Sequence, residues 1–150
     1  GNQFFYNYKY YVNHNVLIPR PETEILVSEI INRGDKINKS KKDFNVIDAG
    51  SGSGCIGLSI NSERGKWNVI LSENSHKAVK VLNKNYKSES RKNCFIVMSD
   101  WLSAFNDDMA DIIVSNPPYI KPDSKEIDKN VLFFYCIFPY KIGHEITKEF

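Results

Sequence analysis

Residues 45–54 read NVIDAGSGSG. A short apolar run from Asn45 to Ala49 ends in glycines that alternate with serines. An apolar run bounded by turn residues predicts a buried strand. A tight strand-to-helix turn needs about one glycine, whereas Gly50, Gly52 and Gly54 all fall within five residues. Glycine reaches positive φ without penalty and lets a ligand approach the backbone closely. The turn is therefore expected to hold a ligand and to open into a helix over residues 54–62.

The same alternation continues outward. WNVILSE (67–73) predicts a second strand, HKAVKVLNKNYK (76–87) an amphipathic helix with Ala78, Val79, Leu82 and Tyr86 inward, and NCFIVMSD (93–100) a third strand. ADIIVSNPPY (110–119) predicts a fourth strand leading into a proline-fixed loop. Strands that are apolar throughout and alternate with helices predict an α/β fold with a mostly parallel sheet and helices on both faces. Upstream, the aromatic run FFYNYKYYVN (4–13) predicts a strand or hairpin. Pro19 and Pro21 keep the next segment extended. A helix then buries Ile25, Leu26, Val27, Ile30 and Ile31, with Gly34 as its expected stop. DKINKSKKD (35–43) reads as a surface loop. Two units are expected: residues 1–34, a hairpin and helix, leading into a catalytic domain over 35–150 whose 121–150 tail is atypical.

Composition narrows the function classes. The chain has 150 residues and is 41% hydrophobic, which suffices for one core. A net charge of +2 is too small to argue for nucleic acid. Cys55, Cys94 and Cys136 form no CxxC pair, so reduced thiols in the cytoplasm are expected and a metal site is not. No apolar run approaches the roughly 18 residues of a membrane span.

Ligands of open parallel sheets bind outside the carboxyl ends of the strands, and each candidate site residue falls at such an end. Gly52, Gly54 and Gly57 spell GxGxxG, a dinucleotide pattern, and Glu73 stands where a ribose-binding acid belongs. Asp48 favours S-adenosylmethionine (SAM) over a dinucleotide. A carboxylate before the glycines sits awkwardly near a pyrophosphate, but it can order a turn that receives a cationic amino-acid moiety. Asp48, Gly50, Ser51, Gly52, Ser53, Gly54 and Glu73 are therefore candidate cofactor residues. Asp100 and Trp101 join them: Asp100 can accept from an adenine amino group, and Trp101 offers the ring an apolar face. The plainer alternatives are Glu73 as a helix-start acid, Asp100 as a turn residue and Trp101 as core.

Asn116-Pro117-Pro118-Tyr119 follows the fourth strand. Consecutive prolines fix φ and remove two N–H groups, and Asn116 before proline is pushed out of the helical region. The exposed polar atoms of such a loop are mostly acceptors. The Asn116 side-chain oxygen and the Pro117 carbonyl can grip a planar NH2 group, and Tyr119 can wall it by stacking. Amide and exocyclic amine nitrogens are poor nucleophiles, so positioning and electrostatics are the expected catalytic contributions. Asn116, Pro117, Pro118 and Tyr119 are the candidate catalytic residues, with Asn116 also touching cofactor.

With these motifs, and with VLIPRPETE at residues 16–24 upstream of them, the chain resembles the HemK (PrmC) family of protein-glutamine N5-methyltransferases. The resemblance runs from about Phe4 to Ile120. Glycine turns and NPPY also occur in adenine and cytosine amino-methyltransferases, and the PRPETE segment is the narrower signature. It implies a Rossmann-like class I SAM-dependent methyltransferase fold that modifies the Gln of the Gly-Gly-Gln motif in peptide chain release factors. Gly50 to Gly54 would bind the methionine portion of SAM, Glu73 would take the role of the family's usual Asp, and Trp101 would border the adenine. Asn116 to Tyr119 would clamp the glutamine amide, and Arg20 to Glu24 would help enclose the cofactor site. The family has a helical domain before this region and further strands after it, so a chain truncated at both ends, with an incomplete sheet, is expected. Two readings compete: an amino-methyltransferase acting on RNA or DNA, and an inactive remnant.

Overall fold

The structure is a computed structural model that describes residues 1–38 and 43–116. Pro117, Pro118, Tyr119 and the expected 121–150 tail lie outside the described residues. The elements are β1 (Asn2–Phe5), β2 (Tyr8–Tyr11), α1 (Thr23–Ile37), β3 (Asn45–Ala49), α2 (Cys55–Glu63), β4 (Asn68–Glu73), α3 (His76–Tyr86), β5 (Cys94–Met98) and β6 (Ile112–Ser115).

β3 to β6 form a parallel sheet in the order β5-β4-β3-β6, and β1 and β2 form a separate antiparallel hairpin. The chain runs outward from β3 through β4 to β5, then returns to pair β6 on the other side of β3. The order reverses between β3 and β6, and a crevice opens at the carboxyl ends of such strands.

Side chains alternate across the sheet. Val46, Val69, Leu71, Ile112 and Val114 are fully buried on one face, in one cluster with Leu26, Val27 and Ile30 of α1, Leu58 and Ile60 of α2, and Leu82 of α3. Each such aliphatic side chain contributes about 1.5–3 kcal/mol by leaving water. The opposite face presents Ile47, Ala49, Ile70 and Ile113 to Leu102, Phe105 and Ala110. Helices were expected on both faces; among the described residues they cover one. Successive right-handed crossovers through α2 and α3 place both on the same side, while the return to β6 runs through turns rather than a helix.

Three further expectations are corrected. Gly34 does not stop α1, which runs on to Ile37. A Cβ there would collide with the Trp67 ring, so glycine is needed for close approach rather than termination. In α3 the buried positions are Ala78, Val81, Leu82 and Asn85; Tyr86 is half-buried and packs against the core as expected, whereas Val79 is only half-buried. The exposed Ile25 likewise leaves the inward face of α1 to Leu26, Val27, Ile30 and Ile31.

The hairpin turn places Tyr6 and Asn7 at φ 48° and 68°, the left-handed pair required by a two-residue turn that matches strand twist. Phe5 and Tyr10 anchor the hairpin in the main core. The Tyr10 hydroxyl lies 2.7 Å from that of Ser59 on α2, and burial pushes the Tyr10 phenol well above its ordinary range.

Candidate functional site

The glycine turn is built from backbone geometry. Gly50, Gly52 and Gly54 all take left-handed φ, at 72°, 57° and 81°. Gly50 and Ser51 N–H both donate to the Ser72 carbonyl of β4 at 2.9 Å. The Ser51 hydroxyl donates to the Asp48 carbonyl at 2.7 Å, and Gly54 N–H donates to Ser51 O at 2.7 Å. A Cβ on Gly54 would overlap Leu82 and Leu58, so the turn lies directly on α2 and α3.

Asp48 sits behind this turn rather than in front of it. Its carboxylate is buried and accepts from Gly57 N–H at 2.9 Å. Burial raises its pKa from 3.8 to about 7; the Gly57 hydrogen bond opposes the rise and the charge of Glu73 adds to it. Glu73 occupies the edge of the turn. One carboxylate oxygen accepts from Gly52 N–H at 2.8 Å, and the other accepts from Asn74 and Ser75 N–H at 3.0 and 2.9 Å. A carboxylate offers about four acceptor sites, so Glu73 braces the glycine turn and the start of α3 while retaining capacity for a ligand hydroxyl. It is not simply a helix-start acid.

A cavity of about 340 Å³ opens at the carboxyl ends of the strands, within the range small-molecule sites occupy. Of the candidate residues, Gly50, Gly52, Glu73, Asp100, Trp101 and Asn116 line it together. Asp48, Ser51, Ser53 and Gly54 stand behind that wall and shape it. Trp101 is 40% exposed and so is not core. Its backbone sits at φ 50°, and its carbonyl accepts from the Ser72 hydroxyl at 2.7 Å. Asp100 accepts from the Asn74 side chain at 3.3 Å. Asn116 follows β6, whose end is tied to β3 by the Ser115 hydroxyl donating to Ala49 O at 2.7 Å. The Asn116 amide nitrogen lies 3.5 Å from the Thr23 hydroxyl. The lining includes two carboxylates and, among the described residues, no lysine or arginine. That charge suits a cationic ligand and disfavours a pyrophosphate.

A family model described as "Methyltransferase small domain" matches residues 22–133. The chain belongs to this family. Its fold is accordingly that of a Rossmann-like methyltransferase. A solved structure of TYW2 from P. horikoshii in complex with MeSAdo matches 75% of this chain and 40% of that one, with a TM-score of 0.58 and 20% identity. Among curated relatives, the release factor glutamine methyltransferase of Thermodesulfovibrio yellowstonii is 37% identical over 86% of this chain and 45% of its own length. The protein of the same name from Flavobacterium psychrophilum is 41% identical over 88% of this chain and 46% of its own. The chain spans a little under half the length of these relatives.

The methyltransferase cavity also uses residues to which the sequence pointed less clearly. Asn15, Val16 and Leu17 line it from the segment between hairpin and α1, Asn74, Ser75 and Ser99 from the loops after β4 and β5, and Ala78 from the first turn of α3. Ser75 was recognisable as a helix cap, and its hydroxyl accepts from Ala78 N–H. Leu17 and Ile18 belong to the VLIPRPETE stretch, which suggested no separate role for them, and they are 53% and 57% exposed. The PRPETE segment divides its roles. Glu24 turns away from the cavity and accepts from Tyr6 N–H at 3.1 Å in the hairpin turn, whereas Thr23 faces Asn116. Among the described residues no group of His, Cys, Asp and Glu could hold a metal ion, and no helix is long and apolar enough to cross a membrane.

Proposed function

We propose that this chain is the cofactor-binding and amide-holding part of a SAM-dependent methyltransferase. Its acceptor is the glutamine side chain of the Gly-Gly-Gln motif in a peptide chain release factor. The observation that carries this reading is the position of Asn116. It shares one cavity wall with the glycine turn and two carboxylates, and the PRPETE segment stands directly behind it. Relatives 37% and 41% identical over most of this chain are named release factor glutamine methyltransferase.

SAM would supply a methyl group on a positively charged sulfur, which the acidic lining of the cavity suits. Gly50 and Gly52 leave room for the amino-acid portion, the remaining acceptor capacity of Glu73 takes ribose hydroxyls, and Asp100 and Trp101 border the adenine. Asn116 accepts from the glutamine NH2 group and holds its nitrogen toward the methyl donor. The sequence continues Pro117-Pro118-Tyr119, and the resemblance assigns these residues to the same hold on the amide. With the nitrogen so held, the gain comes from orientation and from the acceptor field, and the proton leaves to water after transfer. Cys55 and Cys94 are free buried thiols, in keeping with work in the reducing cytoplasm.

Labelled methyl transfer from SAM to a release factor tests the reading. Label is expected on the factor and lost when its acceptor Gln is replaced. Asn116→Ala should reduce transfer at least about 100-fold and leave the circular-dichroism spectrum unchanged. Equal labelling of nucleic acid, or full transfer by Asn116→Ala, would overturn it.

A further inference from the structure

Trp101 holds a backbone conformation that its own side chain disfavours. Its φ is 50°, in the left-handed region that a bulky residue enters only when its surroundings enforce it. The loop after β5 supplies two bonds of its own. Ser103 N–H donates to Asp100 O at 3.0 Å, and Ala104 N–H donates to the Ser99 hydroxyl at 3.1 Å. Another bond reaches the loop from the sheet: the Ser72 hydroxyl donates to Trp101 O at 2.7 Å. A carbonyl oxygen only accepts, so the direction of this bond is fixed. Ser72 is fully buried, and it pairs Ala49 of β3 on one side and Val97 of β5 on the other. The donor therefore stands on a rigid interior strand, the kind of support that holds a binding group in place.

The same residue holds the other side of the cavity. Its carbonyl accepts from both Gly50 and Ser51 N–H at 2.9 Å. The Trp101 ring comes back over this turn, since a Cβ on Gly50 would lie 3.9 Å from its Cζ3. Gly50 and Trp101 both line the cavity, whereas Ser72 lies behind the lining. Ser72 thus grips the glycine turn with its main chain and Trp101 with its side chain. We propose that Ser72 is a positioning residue for the cofactor. Its hydroxyl fixes Trp101 relative to the glycine turn, so that the walls for the adenine and methionine portions keep a set separation. This rests on the reading above in which SAM fills the cavity and Trp101 borders its adenine. Ser72 acts through Trp101, which makes further contacts of its own, and the variants below measure what the Ser72 hydroxyl adds to them.

The test crosses Ser72→Ala with Trp101→Ala in the full chain, with Ser72→Cys as the variant that keeps a weaker donor. One readout is affinity for S-adenosylhomocysteine by calorimetry, taken well below each variant's own unfolding midpoint, so that lost stability alone does not lower it. The other is the NMR position of the Trp101 indole N–H, assigned by its loss in Trp101→Ala. Ser72→Ala should move the indole signal and weaken affinity about 10-fold. Ser72→Cys should fall between wild type and Ser72→Ala in both, and it decides the matter against wild type if the alanine variant does not fold. In the Trp101→Ala background, removing the Ser72 hydroxyl should cost no further affinity, because two residues acting in series are not additive. An unmoved indole signal, wild-type affinity in Ser72→Ala or in Trp101→Ala, or an equal loss in both backgrounds would each overturn the proposal. Failure of the wild type to bind S-adenosylhomocysteine would overturn the SAM reading itself, and the proposal with it.

Discussion

The two walls of the cavity are held together in different ways. The cradle, from β3 through the glycine turn to β4 and Glu73, is a lattice of backbone hydrogen bonds with three left-handed glycines, and each part lies within about 30 residues of the next. The opposite wall is the segment leading into α1, and the hairpin before it is attached by single side chains that span long stretches of chain. Asn85 of α3 accepts from Tyr11 N–H at 2.7 Å and donates to Tyr11 O and Ser53 O at 2.9 and 2.8 Å. Glu24 holds the hairpin turn, and Tyr10 meets Ser59. A lattice fails cooperatively, whereas a wall on struts can loosen while the cradle stays intact. Cofactor binding and access to the cavity can therefore be separated by mutation.

The largest expected effect tests how dry the cradle is. Asp48 keeps its proton up to about pH 7 in the folded chain, against an ordinary value of 3.8. Between those values the folded state binds more protons than the unfolded one, so this group's contribution falls as pH rises from about 4 to 7 and is constant above. The full swing is on the order of 4 kcal/mol. Asp48→Asn should remove it, which urea unfolding of both proteins at pH 4.5 and 7.5 would read. Parallel pH dependence in the two would mean that the cradle is wet. Next comes Gly54→Ala. A left-handed alanine costs about 1–2 kcal/mol, and overlap with Leu82 and Leu58 adds about 1–3 kcal/mol. Unfolding at a midpoint close to wild type would show that the turn can move off α3.

The same contrast decides what could be read from the sequence. The parallel sheet, the glycine turn, Glu73 and Asn116 were legible because each is written locally, as an apolar run, a glycine spacing or an acid at a strand end. The hairpin was legible from its aromatic run. Gly34 was misread as a helix stop because its reason for being glycine is the Trp67 ring, 33 residues away. Val79 was misplaced because α3 buries Val81 and a polar residue, Asn85, whereas Tyr86 packs against the core as expected. No periodicity rule favours an asparagine inside, and only its three side-chain hydrogen bonds, to Tyr11 and Ser53, explain it. Likewise the contact of Glu24 with Tyr6 N–H, and that of Thr23 with Asn116, join residues that sequence alone does not bring near.

Asn85→Ala tests the strut directly. Three buried or half-buried hydrogen bonds are lost, for about 2 kcal/mol net of what water recovers. Amide exchange should rise across β1 and β2 more than across β3 and β4, and SAM affinity should fall less than stability does. Uniform exchange throughout the chain would show that the hairpin is part of the cradle after all.

Glu24→Ala should have the smallest effect and sharpens the comparison most. Tyr6 N–H donates to this carboxylate across a half-buried contact, and water can replace part of what is lost, so about 1 kcal/mol is expected. The Tyr6–Asn7 turn has positive φ at both positions, a conformation that non-glycine residues hold only when neighbours enforce it. Loss of the acceptor should therefore appear as faster exchange at Tyr6 and Asn7, with the Asn116 side-chain signal unmoved. That pattern would mean that Glu24 acts on the hairpin alone, independently of the Thr23–Asn116 contact beside it. A shift of the Asn116 signal in Glu24→Ala would mean instead that the hairpin and the acceptor residue are coupled through α1.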